Sequence, residues 1–198
     1  MQPYNHVVIM NIGFDLDKIF INYPPLIPDR IIDRLYKKKS NGELLYRFPS
    51  RPEQILRKLS HMSFLRKEIK KNVSFLQDIA KEKHTLYLIS SRFLFLKPET
   101  ERLMKRLGFH GIFKTMFFNF ENKQPHEFKN EIIKKLQLDI YVDDDFPLLK
   151  HVAKQNKNTQ FFWLSNRKKP EKLTRNITAI STLSDIFQNF HNKTTSKI

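Results

Sequence analysis

Three apolar runs in this 198-residue chain are each followed by polar residues that could do chemistry. The runs are residues 7–10, 86–89 and 140–142, and the polar residues after them are Asp15 with Asp17, Ser90, and Asp143 with Asp144 and Asp145. Each run has the length and the β-branched or aromatic character of a buried strand. In open α/β sheets, ligands bind in the crevice at the carboxyl ends of the strands. The pattern therefore predicts an acid-rich site for magnesium-assisted phosphoryl transfer.

Asp15 and Asp17 are separated by one apolar residue, Leu16. In an extended segment this spacing points both carboxylates to the same side, while Leu16 faces the other way into the core. Paired carboxylates can serve as nucleophile and as general acid or base. The alternative is that the two aspartates only end a strand in a polar turn.

Asp143, Asp144 and Asp145 place three like charges in a row, which is costly unless a cation compensates them. Magnesium prefers an octahedral site of oxygen ligands with one or two carboxylates. Strand alternation would put Asp143 and Asp145 on one side and Asp144 on the other, so not all three could face a metal. The alternative is an acidic turn that caps a helix beginning near Phe146.

The composition narrows the class of protein. The chain has no cysteine, which excludes disulfides and thiolate metal sites and favours a reducing cytoplasm. No run approaches the roughly 18 apolar residues that cross a bilayer, and residues 1–6 lack the features of a secretion signal. We therefore expect a cytoplasmic protein with no membrane partner.

The formal net charge of +16 raises the question of a nucleic-acid partner. The lysines are spread along the chain and do not form one tract, which favours solvated lysine-rich helix faces. Nucleic acid is thus an open but not the favoured partner. A positive field still draws anionic ligands inward.

Strand and helix signals alternate in the second half of the chain, as they do in a parallel sheet with crossover helices. We predict strands at residues 85–89, 115–118, 139–142 and 160–164, and helices at 97–108, 127–136 and 147–155. Phe161, Phe162 and Trp163 are apolar at consecutive positions, which is typical of a strand buried on both faces. The fold class is α/β.

A long interruption follows the first strand. It has helical patterns near Pro28 and over residues 53–60 and 64–80, and no strand is evident. We predict a helical cap at residues 21–83, whose last helix packs partly on the core. The core would comprise residues 1–20 and 84–190, and residues 191–198 would form a flexible tail.

The ordered motifs Asp15-x-Asp17, Ser90, an upstream lysine and Asp143-Asp144 resemble those of the haloacid dehalogenase superfamily of phosphatases. Residues 87–92 and 138–144 are similar to segments of its 5′(3′)-deoxyribonucleotidase-like branch. The resemblance spans roughly residues 7–164. It implies a Rossmann-like parallel sheet with a small cap inserted after the first strand.

The resemblance also implies roles for single residues. Asp15 would be the nucleophile that forms an aspartyl-phosphate, and Asp17 the general acid and base, with a pKa nearer neutrality than that of an isolated aspartate. Mg²⁺ would be held by Asp15, the backbone carbonyl of Asp17, and Asp143 or Asp144. The activity would be Mg²⁺-dependent hydrolysis of a phosphomonoester, by analogy a (deoxy)nucleoside monophosphate. The alternatives are a phosphatase of nucleic-acid ends and a non-catalytic phosphoryl-binding protein.

The phosphate would be bound by Ser90 or its neighbour Ser91 and by Lys129, fourteen positions before Asp143. Lys129 would lie in the first turn of helix 127–136, where a cation opposes the helix dipole at a cost of about 0.3–1 kcal/mol. Such a local misfit indicates that the lysine serves an anion. Lys123 is the alternative lysine.

The chain departs from the family pattern at Lys18, where a small or acidic residue is usual. An ammonium there could bind substrate, or could replace the charge of the metal. Further substrate contacts are predicted from Arg92 and from basic and aromatic residues of the cap: Tyr23, Tyr46, Arg47, Arg51 and His61. The sequence leaves the oligomeric state open.

Overall fold

The computed structural model describes residues 9–24, 37–40, 43–165 and 173–187. Eight strands lie in these ranges: β1 Asn11–Phe14, β2 Lys37–Ser40, β3 Glu43–Tyr46, β4 Thr85–Ser90, β5 Thr115–Phe118, β6 Ile140–Asp143, β7 Gln160–Leu164 and β8 Ile177–Ile180. The helices are α1 Arg51–Ser60, α2 Lys70–Ile79, α3 Lys97–Leu107, α4 Pro125–Leu136 and α5 Phe146–Gln155. No helix of the described residues is long and apolar enough to cross a bilayer.

Six of the strands form one parallel sheet in the order β5-β4-β1-β6-β7-β8, which confirms the predicted α/β class. The chain builds outward from β1 through β4 and β5, then returns to the other side of β1 with β6. The carboxyl ends of β4, β1 and β6 are therefore adjacent at the point where the strand order reverses. Crevices at such switch points are the usual ligand sites of open α/β sheets.

Apolar side chains cover both faces of this sheet. Ile12, Leu88 and Val142 belong to one buried cluster, and Ile89 and Tyr141 to another. Alternate side chains of one strand thus pack on opposite faces of the sheet, as a sheet covered on both faces requires. The apolar run of β7 is buried at its three central positions, as predicted: Phe161, Phe162 and Trp163.

The first strand lies later than the apolar run at residues 7–10 predicts. Ile9 is 62% exposed, and residues 7 and 8 lie outside the described ranges. Asn11 and Gly13 are poor strand formers, yet the backbone N–H of Asn11 donates to the Asp139 carboxylate (2.8 Å). A Cβ on Gly13 would lie 2.5 Å from Leu138 Cδ1, so the buried Leu138 side chain would have to shift to admit any other residue there.

The prediction that the insertion has no strand is wrong, because β2 and β3 pair as an antiparallel hairpin. The sequence Lys-Lys-Lys-Ser of β2 carries no strand signal. Tyr46 at the end of β3 ties the hairpin to the core: its backbone N–H donates to Gln124 Oε1 (3.0 Å), and its carbonyl accepts from Gln124 Nε2 (3.2 Å).

The helix predicted at residues 64–80 is present only from Lys70 to Ile79, and the prediction is wrong for residues 64–69. A short 3₁₀ turn, Ser63–Leu65, is followed by an extended stretch before α2 begins at Lys70. That stretch bonds to the segment after β1, where Ile69 N–H donates to the Phe20 carbonyl and Asn22 N–H to the Lys67 carbonyl, both at 2.8 Å. Backbone pairing to a neighbouring segment has overridden helical periodicity here.

The remaining elements differ only in detail. Helix α4 begins at Pro125, not at 127, so Lys129 lies in the second turn and not in the first. Strand β8 adds an edge that the sequence did not indicate. Val73, Leu76 and Ile79 of α2 join the core cluster of one sheet face. The helix predicted near Pro28 and the tail at 191–198 lie outside the described residues.

Candidate active site

A cavity of about 130 Å³ opens at the carboxyl ends of β1, β4 and β6. These strands end where the chain turns from apolar to polar residues, so the chemistry-bearing side chains meet there. The residues that line it are Asp15, Asp17, Tyr23, Tyr46, His61, Ser90, Ser91, Arg92, Pro125, Lys129, Asp143, Asp144, Asp145 and Leu148. The structure therefore brings together all the predicted catalytic, phosphate-binding and metal-binding residues.

Three carboxylates form the centre of this pocket. One oxygen each from Asp15, Asp143 and Asp144 lies within 4.8 Å of the other two. Asp15 is fixed by its backbone N–H, which donates to the Val142 carbonyl of the next strand (2.9 Å). Because all the donors are hard oxygens, the group fits Mg²⁺ better than a softer metal.

The strand alternation predicted for the acidic run is wrong beyond Asp143. Strand β6 ends at Asp143, so Asp144 leaves the extended pattern and turns toward Asp15 and Asp143. Asp145 instead caps α5, accepting from Leu148 N–H (3.4 Å), and also accepts from the Tyr46 hydroxyl (2.8 Å). The capping alternative thus describes Asp145, and the metal interpretation fits Asp143 and Asp144.

Lys129 joins two of the acids. Its Nζ lies 2.8 Å from Asp15 Oδ1 and 2.7 Å from Asp143 Oδ2, and all three side chains are buried. Burial alone would lower the pKa of Lys129, but the carboxylates of Asp143 and Asp15 outweigh it and raise the pKa well above its usual value. The ammonium is therefore a permanent charge in the site. Tyr141 also donates its hydroxyl to Asp143 Oδ2 (3.1 Å).

Burial raises the pKa of Asp15 to about 6, against the lowering effect of Lys129. Burial, together with the charge of Asp143, raises the pKa of Asp144 to about 8, while Lys18 opposes the rise. Both shifts describe carboxylates crowded together in a protein interior. A cation among them would relieve that crowding.

Lys18 contacts Asp144 directly, with Nζ 3.2 Å from Oδ2. The same ammonium lies 4.5 Å from the centroid of the Tyr23 ring. The backbone of Lys18 is left-handed, with φ of 61°. The indole N–H of Trp163 donates to the backbone carbonyl of Asp144 (2.9 Å).

Asp17 is held by two arginines. Arg92 Nε and Nη2 donate to its two carboxylate oxygens at 3.0 and 3.1 Å, and Arg66 also pairs with it. Both arginine side chains are buried. Two guanidinium groups favour the ionised carboxylate, whereas a general acid must carry a proton. The geometry thus opposes the state that the sequence-based role of Asp17 requires.

Two serine hydroxyls lie at the end of β4. Ser90 is 1% exposed and lines the pocket. Ser91 Oγ is buried and has no hydrogen-bond partner among the described residues. A hydroxyl left without an acceptor at the wall of a pocket is suited to donate to a ligand oxygen.

The predicted cap contacts divide into two groups. Tyr23, Tyr46 and His61 line the pocket. Burial, reinforced by Arg92, lowers the pKa of His61 to about 3, so its ring is neutral at pH 7.

Arg47 and Arg51 do not line the pocket. Arg47 pairs with Glu53, which also accepts from Ser50 at the start of α1, and this draws the guanidinium away. Lys123, the alternative phosphate lysine, pairs with Glu121 and Glu131 and is likewise not at the pocket.

Sequence reasoning missed Arg66 as a site residue, because residue 66 fell within a predicted amphipathic helix where arginine faces solvent. It also missed that the Tyr141 hydroxyl contacts Asp143, since a tyrosine in a buried strand is expected to be a core residue. The triplet of lysines in β2 likewise concealed the hairpin that brings Tyr46 to Asp145.

No protein-family model matches the chain, and no curated protein sequence does. Solved structures do resemble it. A haloacid dehalogenase hydrolase of family IA from Entamoeba histolytica has a TM-score of 0.61 at 11% identity, over 89% of this chain and 95% of the other. A haloacid dehalogenase-like hydrolase from Streptococcus pneumoniae has a TM-score of 0.59 at 13% identity, over 92% and 98%. One from Ehrlichia chaffeensis has a TM-score of 0.55 at 10% identity, over 92% and 97%.

At such low identity the likeness concerns backbone architecture, and it spans nearly the whole of each chain. Architecture does not fix activity, which depends on the residues of the site. The chain therefore has the fold of haloacid dehalogenase-like hydrolases.

Proposed function

We propose that this protein is a phosphomonoester hydrolase that acts through an aspartyl-phosphate at Asp15 and uses Mg²⁺. The observation that carries the proposal is the buried contact of Asp15 with Lys129, in a pocket that also holds Asp143, Asp144 and two serine hydroxyls. A nucleophilic carboxylate, a fixed cation and donors for phosphoryl oxygens are the parts that phosphoryl transfer needs.

The reaction would proceed in two steps. An Asp15 oxygen forms a bond to phosphorus, and the ester oxygen leaves with the bonding electron pair. Water then attacks the phosphorus and gives a proton to Asp17, the bond between phosphorus and the Asp15 oxygen breaks with its electron pair left on the Asp15 carboxylate, and inorganic phosphate is released. Because the pKa of Asp15 is about 6, its carboxylate is ionised and nucleophilic at pH 7 and above.

The surrounding residues would divide the remaining work. Lys129 holds Asp15 in place and supplies positive charge next to the phosphoryl group. Ser90 and Ser91 would donate to phosphoryl oxygens. Mg²⁺ held by Asp15, Asp143 and Asp144, with the backbone carbonyl of Asp17, would add positive charge to the same oxygens.

Asp17 would protonate the leaving oxygen, and Arg66 and Arg92 would position it. Since these arginines favour its ionised form, an aryl phosphate is the best first substrate. Its leaving group departs as a stable anion and needs little help from an acid.

The substrate class follows from size and from the resemblance. A cavity of about 130 Å³ accommodates a phosphoryl group and a few more atoms, and lies below the roughly 300–1,000 Å³ of typical small-molecule sites. A nucleoside monophosphate, the substrate suggested by the resemblance, would therefore extend beyond this cavity. A panel of mononucleotides, sugar phosphates and 5′-phosphorylated oligonucleotides would rank these classes.

The decisive experiment measures hydrolysis of p-nitrophenyl phosphate by the wild type with Mg²⁺ and with EDTA, and by Asp15→Asn. We expect activity with Mg²⁺, loss with EDTA, and a fall of at least about 10³-fold in kcat for the variant, because the amide is a poor nucleophile. Lys58→Gln, an exposed change on α1, is the matched control and should retain activity. Wild-type-like hydrolysis by Asp15→Asn would refute the mechanism.

A second candidate is a phosphoryl-binding protein without turnover. It is favoured by the ion pairs that already occupy Asp17 and Asp144, because these hold the two acids away from catalysis. It predicts binding of inorganic phosphate with no hydrolysis of any member of the panel. Calorimetry with phosphate, run beside the hydrolysis assay, separates the two.

A further inference from the structure

We propose that Lys18 is a built-in cation that occupies Asp144 and competes with a divalent metal for the carboxylate group of the site. The proposal rests on the proposed function only in taking Asp15, Asp143 and Asp144 as the ligands of Mg²⁺. Its consequence is that this chain binds Mg²⁺ more weakly than the three carboxylates alone would.

The two ammonium groups of the site are held in different ways. Lys129 bridges Asp15 and Asp143 and is only 4% exposed, so it is a fixed part of the interior. The side chain of Lys18 contacts Asp144 and is 20% exposed. Each carboxylate of the group therefore has an ammonium partner, and the partner of Asp144 is the more exposed of the two.

The backbone aims Lys18 at Asp144. Its N–H donates to the Ile21 carbonyl (2.8 Å), and this closes a turn directly after Asp17. A φ of 61° is left-handed, where glycine or asparagine is better suited than lysine. Lysine is therefore a strained choice at this position, and its side chain ends at a carboxylate of the site.

The Lys18 ammonium, 3.2 Å from Asp144 Oδ2, repels a divalent cation that binds the same carboxylate. Lys18 therefore competes with a metal for Asp144. In this same position the ammonium lies 4.5 Å from the centroid of the Tyr23 ring, and because the face of an aromatic ring attracts a cation, the ring helps to hold Lys18 beside Asp144.

Trp163 provides a direct readout of metal at this position. It is the only tryptophan of the chain, and its indole N–H donates to the Asp144 carbonyl. Bound Mn²⁺, which is paramagnetic, should quench its fluorescence, and Mg²⁺ should reverse the quenching by competition. Calorimetry measures the same affinities without a reporter, and neither readout depends on hydrolysis.

The test compares wild type with Lys18→Gln and Lys18→Asn, which remove the charge. Asparagine also tolerates the left-handed backbone, so that one variant keeps the turn unstrained. We expect both to lower the Mn²⁺ and Mg²⁺ dissociation constants by at least about tenfold, since a like charge no longer opposes the metal. Lys18→Arg retains the charge and should bind like wild type. Lys58→Gln removes one exposed charge elsewhere and should also bind like wild type.

Unchanged or weaker metal binding in both neutral variants would overturn the proposal, as would the absence of metal binding in every protein of the series. Tighter binding in Lys58→Gln to the same extent would also overturn it, since the effect would then come from net charge. If metal binding tightens as expected but no phosphomonoester is hydrolysed, the role of Lys18 stands and the proposed function fails.

Discussion

Lys129 is the single residue on which the buried charges of the pocket depend, because it contacts both Asp15 and Asp143. Replacing it with methionine keeps the apolar stem and leaves two carboxylates without their partner. We expect Lys129→Met to lose about 3–5 kcal/mol in the free energy of unfolding, the usual effect of removing one member of a buried pair. Urea denaturation at pH 7.5 measures it.

The double variant Lys129→Met with Asp143→Asn should recover part of that loss, since it removes one of the stranded charges. Lys123→Met, which changes a lysine with exposed ion-pair partners, is the control and should have only a small effect on stability. A loss of the same small size for Lys129→Met would mean that the buried contacts do not form.

His61 gives the site a defined response to acid. Burial holds its folded-state pKa at about 3, below the ordinary value of 6.5, so the unfolded chain binds the proton more readily between these values. This contribution to stability is fully present above pH 6.5 and is lost as the pH falls toward 3. We expect His61→Asn to remove it, so that lowering the pH from 7 to 4.5 costs the wild type about 2–3 kcal/mol more than the variant.

The measurement is the difference in unfolding free energy between the two proteins at each pH, which cancels groups that titrate in both. His110→Asn changes an exposed histidine and should keep the wild-type slope. Parallel pH profiles for wild type and His61→Asn would show that the ring is not buried as a neutral group.

At the scale of residues, the sequence located the acids, the serines and Lys129, because each follows a strand or lies at a recognisable distance from one. It could not locate Arg66, whose approach to Asp17 depends on an extended stretch that only tertiary pairing creates. Nor could it show that Lys18 reaches Asp144, since that contact depends on a left-handed turn.

At the scale of elements, Gly108 ends α3, the helix that connects β4 to β5. Its φ of 67° is left-handed, and a Cβ added there would meet open space. Gly108→Ala should therefore cost about 1–2 kcal/mol through backbone strain alone. Thermal and urea unfolding measure the cost.

Gly111 is a matched control, because a Cβ there also meets open space but the backbone is not left-handed. Gly111→Ala should be neutral, or stabilising by about 0.4–1 kcal/mol through the unfolded chain. Equal effects at the two positions would show that α3 does not end in a left-handed residue.

Elements with clear start and stop signals in the sequence were predicted well. Helix α3, which opens at Lys97-Pro98 and closes at Gly108, was found where the sequence indicated, and so were β5 and β7. Elements that depend on a partner were not, as β1 and the hairpin of β2 and β3 show. Asn11 and Gly13 of β1 and the lysines of β2 have weak strand propensity, and pairing with neighbouring strands specifies these elements.

At the scale of the whole molecule, the parallel sheet was predictable because alternating strands and helices allow few topologies. The strand order then explains why motifs more than a hundred residues apart meet: β1 lies between β4 and β6, and each contributes polar residues at its carboxyl end. The size of the cavity was not predictable, since it depends on how residues of the insertion such as Tyr46 and His61 pack over those ends.

The net charge of +16 is a property of the whole molecule, and it should affect the rate at which an anionic substrate is captured. A positive surface raises the encounter rate of a dianionic phosphomonoester, and salt screens this effect over a Debye length that falls from about 30 Å at 0.01 M to about 8 Å at 0.15 M. We expect kcat/KM for p-nitrophenyl phosphate to fall about three- to tenfold over this range, while kcat stays constant because saturated enzyme no longer depends on encounter. Sodium chloride and sodium acetate at equal ionic strength should give the same curve. A fall that depends on the anion would instead indicate competition at the phosphate position beside Ser91 and Lys129, and long-range attraction would then play no part.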